Sequence, residues 1–95
     1  MQVKIRLFDR LRDASGKSSL SEDMQENSAL HELVEKIATE RGTEFGKLLL
    51  DPTTKMILPN VNILVNGRHN RFINGLNTRL KEGDLVDIMT AMSGG

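Results

Sequence analysis

An amphipathic helix is the feature of this sequence that most limits the folds open to it. Apolar residues at spacings of three and four form one continuous stripe: Leu30, Leu33, Val34, Ile37 and Ala38. Ser28 is a suitable N-cap and Gly42 stands where a C-terminal cap is expected, so the pattern predicts a helix over residues 29–41. Because only one side of this helix is apolar, it must pack against a second layer.

The segments on either side of the helix have the pattern of β-strands. Residues 3–7 alternate apolar and basic side chains, which is the period-two signature of a half-buried strand. Turn residues at 13–16 separate this strand from a weaker one over residues 17–24. After the helix, a strand over residues 61–65 stops at Asn66-Gly67, a dipeptide typical of hairpin turns.

Three further segments complete the pattern. Phe45, Leu48 and Leu49 favour a short helical turn, and Phe72-Ile73 indicates a short returning strand. A final strand over residues 85–89 follows the turn at residues 80–84.

The order of these elements predicts an α+β fold of two layers, in which one main helix packs across a mixed sheet of four to five strands. The apolar fraction of 38% is enough for one core, and the absence of Trp and Tyr makes that core mainly aliphatic. We expect a single domain over residues 1–89, followed by a flexible C-terminal tail over residues 90–95.

Composition excludes several classes of function. Thirteen basic and thirteen acidic residues give a formal net charge of zero, so we expect no direct nucleic-acid partner. The chain has no cysteine, which removes disulfides, thiol nucleophiles and Cys-bound zinc. His31 and His69 have no clustered partner ligands, so we expect neither a metal nor a bound cofactor. The N-terminus lacks the apolar run of a signal peptide and no segment is long enough to span a bilayer, which predicts a cytoplasmic protein without a membrane partner.

The tail contains the most reactive group that the sequence offers. Two glycines in the last two positions, Gly94 and Gly95, arise by chance in about one chain in 200, so their value depends on the scaffold that carries them. A C-terminal carboxylate is an anion at neutral pH and a poor electrophile, so it reacts only after activation, for example as an acyl-adenylate. Residues without a Cβ let the backbone enter a narrow active site, and a tail extended from Met89 reaches roughly 20 Å.

The chain resembles the MoaD/ThiS group of ubiquitin-like sulfur carriers, and in particular its archaeal small-modifier branch. The resemblance covers nearly the whole chain and is carried by residues 3–8, residues 61–68, and residues 80–88 leading to Ser93-Gly94-Gly95. It implies a β-grasp fold. It also implies that the chain is a carrier, and not itself an enzyme.

The resemblance implies a carrier cycle with several partners. In this group the carboxylate of the terminal glycine, here Gly95 preceded by Gly94, is adenylated by an enzyme related to the ubiquitin-activating kind, which uses ATP and Mg²⁺. The product becomes a thiocarboxylate with sulfur mobilised by a desulfurase or rhodanese. The sulfur then passes to the molybdopterin-synthase large subunit, to thiazole synthase or to tRNA thiolation, or the carboxylate is joined to lysines of target proteins.

One departure from the family pattern leaves the acceptor open. Many molybdopterin-type members have Phe-Pro-Pro-Val before the last three residues, where this chain has Met89-Thr90-Ala91-Met92. The change argues against the molybdopterin acceptor, and it suits the thiazole-type and modifier-type carriers at least as well.

Several residues around the tail are candidates for partner binding. Met89, Met92 and Ser93 flank the glycines, and methionine suits adaptable binding surfaces. Arg68 and Arg71 form a small basic patch that we expect near the exit of the tail, with Lys4 and Arg6 as extensions. Such a patch would meet acidic residues of an activating enzyme, although a solvated loop explains it equally well.

An alternative of a different class is a β-grasp module that binds proteins without covalent chemistry and ends in Gly-Gly incidentally. This alternative predicts that binding survives removal of Gly94 and Gly95.

Overall fold

Within residues 1–91, which the computed structural model describes, five strands form one mixed sheet in the order β2-β1-β5-β3-β4. The strands are β1 (Gln2–Leu7), β2 (Ser19–Asp23), β3 (Val61–Val65), β4 (Arg68–His69) and β5 (Leu85–Thr90). β1 runs parallel to β5, and the other three pairings are antiparallel. The predicted mixed sheet of four to five strands is therefore confirmed.

Three α-helices accompany the sheet in this part of the chain: α1 (Asp9–Ser15), α2 (Leu30–Glu40) and α3 (Thr43–Leu49). Two short 3-10 helices, Asn70–Phe72 and Gly75–Asn77, lie between β4 and β5. None of these helices has the length or apolar character needed to cross a bilayer. The predicted short helical turn after the main helix is confirmed as α3.

The core lies between one face of the sheet and the helices. The predicted stripe of α2 is buried in full, and it packs with the inward side chains of the strands, among them Val3, Ile5, Ile63, Val86 and Ile88. Phe45 of α3 adds an aromatic side chain to this buried cluster. The outward side chains of the strands, including Lys4, Arg6, Asp87 and Met89, lie on the opposite face of the sheet.

The start of α2 differs from the prediction by one residue. Ala29 is the N-cap, and its backbone N–H donates to the Glu32 carboxylate over 2.9 Å. This bond is the reach-back half of a capping box. The Ser28 hydroxyl instead donates to the Gln25 carbonyl at 2.7 Å, so the prediction of Ser28 as the cap is wrong. Gly42 follows the C-cap Arg41, as expected, and its φ of +98° also lets it begin α3.

Two other expectations were wrong. Residues 9–15 form helix α1, where only a turn at residues 13–16 was predicted; the helix ends at Gly16, which has the left-handed φ of +74°. The returning strand is β4 (Arg68–His69). Phe72 is the last residue of the 3-10 helix that follows it, and Ile73 is the C-cap of that helix. β5 also runs one residue beyond the predicted domain boundary, to Thr90.

A buried carboxylate marks the outer strand β2. Glu22 points toward the helices with 6% of its surface exposed, and it pairs with Lys36 and Arg41 of the α2 region, each at 3.1 Å. Burial alone would raise the pKa of Glu22, but the hydrogen bonds from Lys36 and Arg41 outweigh it and the pKa lies below its ordinary value. An inward charge on an edge strand also discourages pairing with other chains.

We predict that Glu22→Gln lowers the free energy of unfolding by about 1–2 kcal/mol at neutral pH, because two cations lose their shared anion. Since the folded-state pKa of Glu22 is depressed, its contribution is present above the ordinary pKa of a glutamate and is lost as the pH falls through the folded-state value. Urea unfolding from neutral to acidic pH measures both effects.

The matched control is Glu26→Gln, which removes the same charge from an exposed position. The stability difference between wild type and Glu22→Gln should shrink in acid. Equal unfolding midpoints for the two variants at neutral pH would contradict this account of Glu22.

Candidate functional site

The tail leaves the domain from the end of the central strand. Thr90, the last residue of β5, is buried and pairs with Val61 of β3. One residue further on, the Ala91 N–H donates to the Asn60 carbonyl at 2.7 Å, although the Ala91 side chain is exposed. The sheet therefore holds the backbone as far as Ala91. Met92, Ser93, Gly94 and Gly95 lie outside the described residues, and their roles stay predictions.

Next to this exit lies the open face of the sheet, the face opposite the helices. Strand register places side chains of three adjacent strands on it: Lys4 and Arg6 from β1, Leu85, Asp87 and Met89 from β5, and Asn62 and Leu64 from β3. Met89 is half-buried.

An ion pair occupies the centre of the open face. Arg6 Nε and Nη2 donate to the two carboxylate oxygens of Asp87 at 2.7 and 2.8 Å, which is a bidentate geometry. Asp87 is only 7% exposed, whereas half of the Arg6 side chain remains accessible. The Asp87 carboxylate raises the pKa of Arg6 through this hydrogen bonding and its charge. The guanidinium also lies over the Phe8 ring, 6.0 Å from its centroid.

Half-buried apolar side chains surround the ion pair. Leu64 lies opposite Asp87 across the β3–β5 pair, and Leu85 and Met89 flank Asp87 along the same side of β5. Methionine, aromatic and Arg side chains, all present around this ion pair, are enriched in protein interfaces. This face is therefore suited to contact another protein close to the start of the tail.

The strand register places Arg68, one residue of the predicted basic patch, away from the exit of the tail. Arg68 lies opposite Val65, which pairs with Val86, so it sits at the other end of β5 from Thr90, roughly 13 Å along the strand. The expectation that Arg68 adjoins the exit of the tail is wrong. Arg71 follows in the 3-10 segment, and its N–H donates to His69 Nδ1 at 3.2 Å. Docking roles for Arg68 and Arg71 stay predictions.

The side chain of Asn66 has a role that the turn signal did not reveal. Its amide nitrogen donates to Asp84 Oδ1, and its amide oxygen accepts the Leu85 N–H, both at 2.9 Å. The other Asp84 oxygen accepts the Lys81 N–H at 2.8 Å. These bonds fasten the β3–β4 turn to the start of β5. The two sequence signals, Asn-Gly and Gly-Asp, are thus parts of one junction.

Over residues 1–91, no three His, Cys, Asp or Glu side chains come together in a way that would hold a metal ion. His31 instead lies 3.3 Å from Glu35 on the surface of α2.

A mixed five-stranded sheet with a helix across one face and its C-terminal strand in the centre is the β-grasp architecture of ubiquitin-like proteins. Residues 5–95 match the ThiS family, and the chain belongs to that family. The resemblance noted from the sequence is thereby confirmed.

Individual relatives agree with this placement. The chain is 27% identical to small archaeal modifier protein 3 of Haloferax volcanii over 95 residues, which is the full length of both chains. The solution structure of small archaeal modifier protein 1 from Methanosarcina acetivorans is 26% identical, with a TM-score of 0.82 over 99% of this chain and 96% of that one. The crystal structure of SAMP1 from Haloferax volcanii has a TM-score of 0.85 over all of both chains, and at 16% identity it supports the fold alone.

The bond from Ala91 to Asn60 leads to a prediction about where the paired backbone ends. We expect the Ala91 amide to exchange its hydrogen more slowly, by about tenfold or more, than the same amide in a short peptide of residues 88–95. Amide hydrogen exchange followed by NMR measures the ratio. Exchange at the rate of the peptide would contradict this hydrogen bond and would place the end of the paired backbone before Ala91.

Proposed function

We propose that this chain is a sulfur carrier and protein modifier whose Gly95 carboxylate is adenylated by a separate activating enzyme. Membership of the ThiS family over residues 5–95, a span that includes the terminal glycines, is the observation that carries the proposal. The fold supports it, because the tail follows a central strand that pairs with β1 as far as Ile88 and with β3 as far as Thr90. The chain itself is a substrate in this scheme and not an enzyme.

The chemistry proceeds in two steps at the carboxyl group of Gly95, the first at an oxygen atom and the second at the acyl carbon. A Gly95 carboxylate oxygen attacks the α-phosphate of ATP, pyrophosphate leaves, and an acyl-adenylate forms. A sulfur donor at the oxidation state of hydrosulfide then attacks the acyl carbon. AMP leaves with the bridging oxygen, and a thiocarboxylate remains. If the ε-amine of a lysine attacks instead, the product is an isopeptide bond and AMP again leaves. ATP and Mg²⁺ belong to the activating enzyme, and this chain supplies the carboxylate and its placement.

The residues before the glycines favour the modifier-type or thiazole-type acceptors over the molybdopterin-synthase large subunit. The Ala91 N–H donates to Asn60, and a proline at this position, as in the Phe-Pro-Pro-Val pattern, has no N–H to donate. The backbone of this chain therefore stays hydrogen-bonded as far as Ala91, whereas a chain with proline at this position lacks that bond. The 27% identical relative is named a small archaeal modifier protein, which supports conjugation to lysines as one outcome.

We propose that the activating enzyme docks on the open face of the sheet. It adjoins the exit of the tail through Met89, which precedes Ala91 by two residues. Its centre combines an accessible Arg6 with half-buried apolar side chains. A partner seated there would hold its adenylation site within reach of Gly95.

The decisive test of the chemistry is an intact-mass measurement. Incubation with the activating enzyme of the same organism, ATP, Mg²⁺ and a sulfide donor should raise the mass by the difference between one sulfur and one oxygen atom. Fragmentation should place the change at Gly95. Controls are a variant lacking Gly95 and one with a residue added after it; both should keep the fold, as seen by circular dichroism, and show no mass change.

An unchanged mass, obtained with an activating enzyme that loads a known carrier, would refute the carrier function. Retention of partner binding after removal of Gly94 and Gly95, together with an unchanged mass, would favour the non-covalent binding module.

The docking surface generates a separate prediction. Met89→Ala should lower kcat/KM for adenylation by about tenfold, because it removes an apolar contact beside the tail. Met56→Ala is the matched control, since Met56 is 69% exposed on a loop outside the sheet and should leave kcat/KM unchanged. Unfolding midpoints of both variants show whether the fold is intact. Equal kcat/KM values for the two variants would contradict docking at the open face.

A further inference from the structure

A cleft lies in the helical layer, away from the open face of the sheet. Its volume is about 400 Å³, and none of its lining residues belongs to a strand. α2 and α3 form two sides of it, and the loop after α3 forms the third. The residues of the cleft that matter for its chemistry are Ala38, Gly46, Lys47, Leu50, Asp51 and Lys55.

Close packing of two helices creates the floor of this cleft. A Cβ on Gly46 would lie 2.7 Å from the Ala38 carbonyl oxygen, so glycine alone permits this approach of α3 to α2. With small residues at both positions, no long side chain fills the space between the helices, and the half-buried Leu50 remains accessible beneath it. The floor is therefore apolar.

The third side is a fixed turn. The Asp51 carboxylate accepts the N–H groups of Thr53 and Thr54 at 2.8 and 3.0 Å, and these bonds lower the pKa of Asp51. The backbone N–H of Asp51 donates to the Met56 carbonyl, and the Lys55 N–H donates to the Asp51 carbonyl, both at 2.8 Å. Lys55 is thereby held at a φ of +64°. These hydrogen bonds fix the conformation of the third side of the cleft without a bound ligand.

Two unpaired cations stand at the rim. Lys47 and Lys55 are exposed, and neither ammonium group pairs with a carboxylate anywhere in residues 1–91. Asp51 is the one carboxylate among the lining residues, and its oxygen faces the turn amides. The cleft therefore combines an apolar floor with a net positive rim.

We propose that this cleft docks a short segment of a partner protein in which acidic residues flank one aliphatic side chain. The volume suits a single side chain with its neighbouring backbone, and the floor offers an apolar contact for it. The two rim cations complement flanking carboxylates. Because the cleft lies in the other layer from the open face, such a partner binds while the tail is engaged elsewhere. The proposal stands independently of the chemistry at Gly95.

The test is an NMR titration of the full chain with an end-capped peptide, Glu-Asp-Leu-Asp-Glu. We expect saturable shifts at the amides of Gly46, Leu50 and Lys55, with a dissociation constant of about 1 mM. Lys47→Glu combined with Lys55→Glu should weaken binding by about tenfold, because it reverses both rim charges. The control combines Lys17→Glu with Lys81→Glu, which changes the net charge equally at exposed positions outside the cleft.

Three outcomes would overturn the proposal. The first is the absence of saturable shifts at these amides, and the second is equal weakening by the control pair. The third is equal binding of a peptide with serine in place of leucine, or of inorganic phosphate, which would show that the apolar floor takes no part. The NMR spectra of all variants show directly whether the fold is intact.

Discussion

The parallel pairing of β1 with β5 is the constraint on which the rest of the structure depends. It joins the first and last strands of the chain in the register from Lys4↔Leu85 to Leu7↔Ile88. A parallel pair cannot be closed by a tight turn, so the segment between the two strands must cross over the sheet. α2 makes that crossing and covers the inward face. The C-terminal strand consequently becomes central. It pairs with β1 as far as Ile88 and with β3 as far as Thr90.

The Arg6–Asp87 ion pair stabilises this register from the other face. The two residues are direct partners across the β1–β5 pair, and their bidentate bonds satisfy both carboxylate oxygens of the buried Asp87. A slip of one residue would turn Asp87 toward the apolar core, where an unpaired carboxylate is strongly unfavourable. The pair therefore stabilises the strand register and also forms the charged centre of the open face, between Leu64, Leu85 and Met89.

Periodicity predicted the elements whose side chains alternate or form a stripe. The stripe from Leu30 to Ala38 identified α2, and the alternation of Val3, Ile5 and Leu7 identified β1. The sequence did not predict α1, because Leu11 is its only buried residue and the helix therefore has no apolar stripe. Its polar residues resemble those of a turn. Ser28 satisfied the local rule for an N-cap, but Glu32 bonds to Ala29 instead and moves the start of the helix.

Long-range pairing was beyond what periodicity could predict. Arg6 and Asp87 are 81 positions apart, and nothing in the sequence around either residue indicates the other. The place of Arg68 depended in the same way on strand register, which set it at the far end of β5 from the tail. The family resemblance, in contrast, rested on local motifs at the two ends and the middle of the chain, and it was sufficient to give the fold.

The two layers divide the surface of the molecule into separate regions. The sheet offers the open face beside the exit of the tail, and the helices offer the cleft rimmed by Lys47 and Lys55. Under the proposed function, contact of one partner with the open face would leave the cleft accessible to a second partner.

The central claim is that the Gly95 carboxylate itself is the adenylated group. The most direct measurement labels the C-terminal carboxylate with a heavy oxygen isotope and follows the label during loading by the activating enzyme. The account predicts that the released AMP carries one labelled oxygen for each chain loaded, since the bridging oxygen of the acyl-adenylate comes from the carboxylate. Release of unlabelled AMP while the chain is loaded would contradict it.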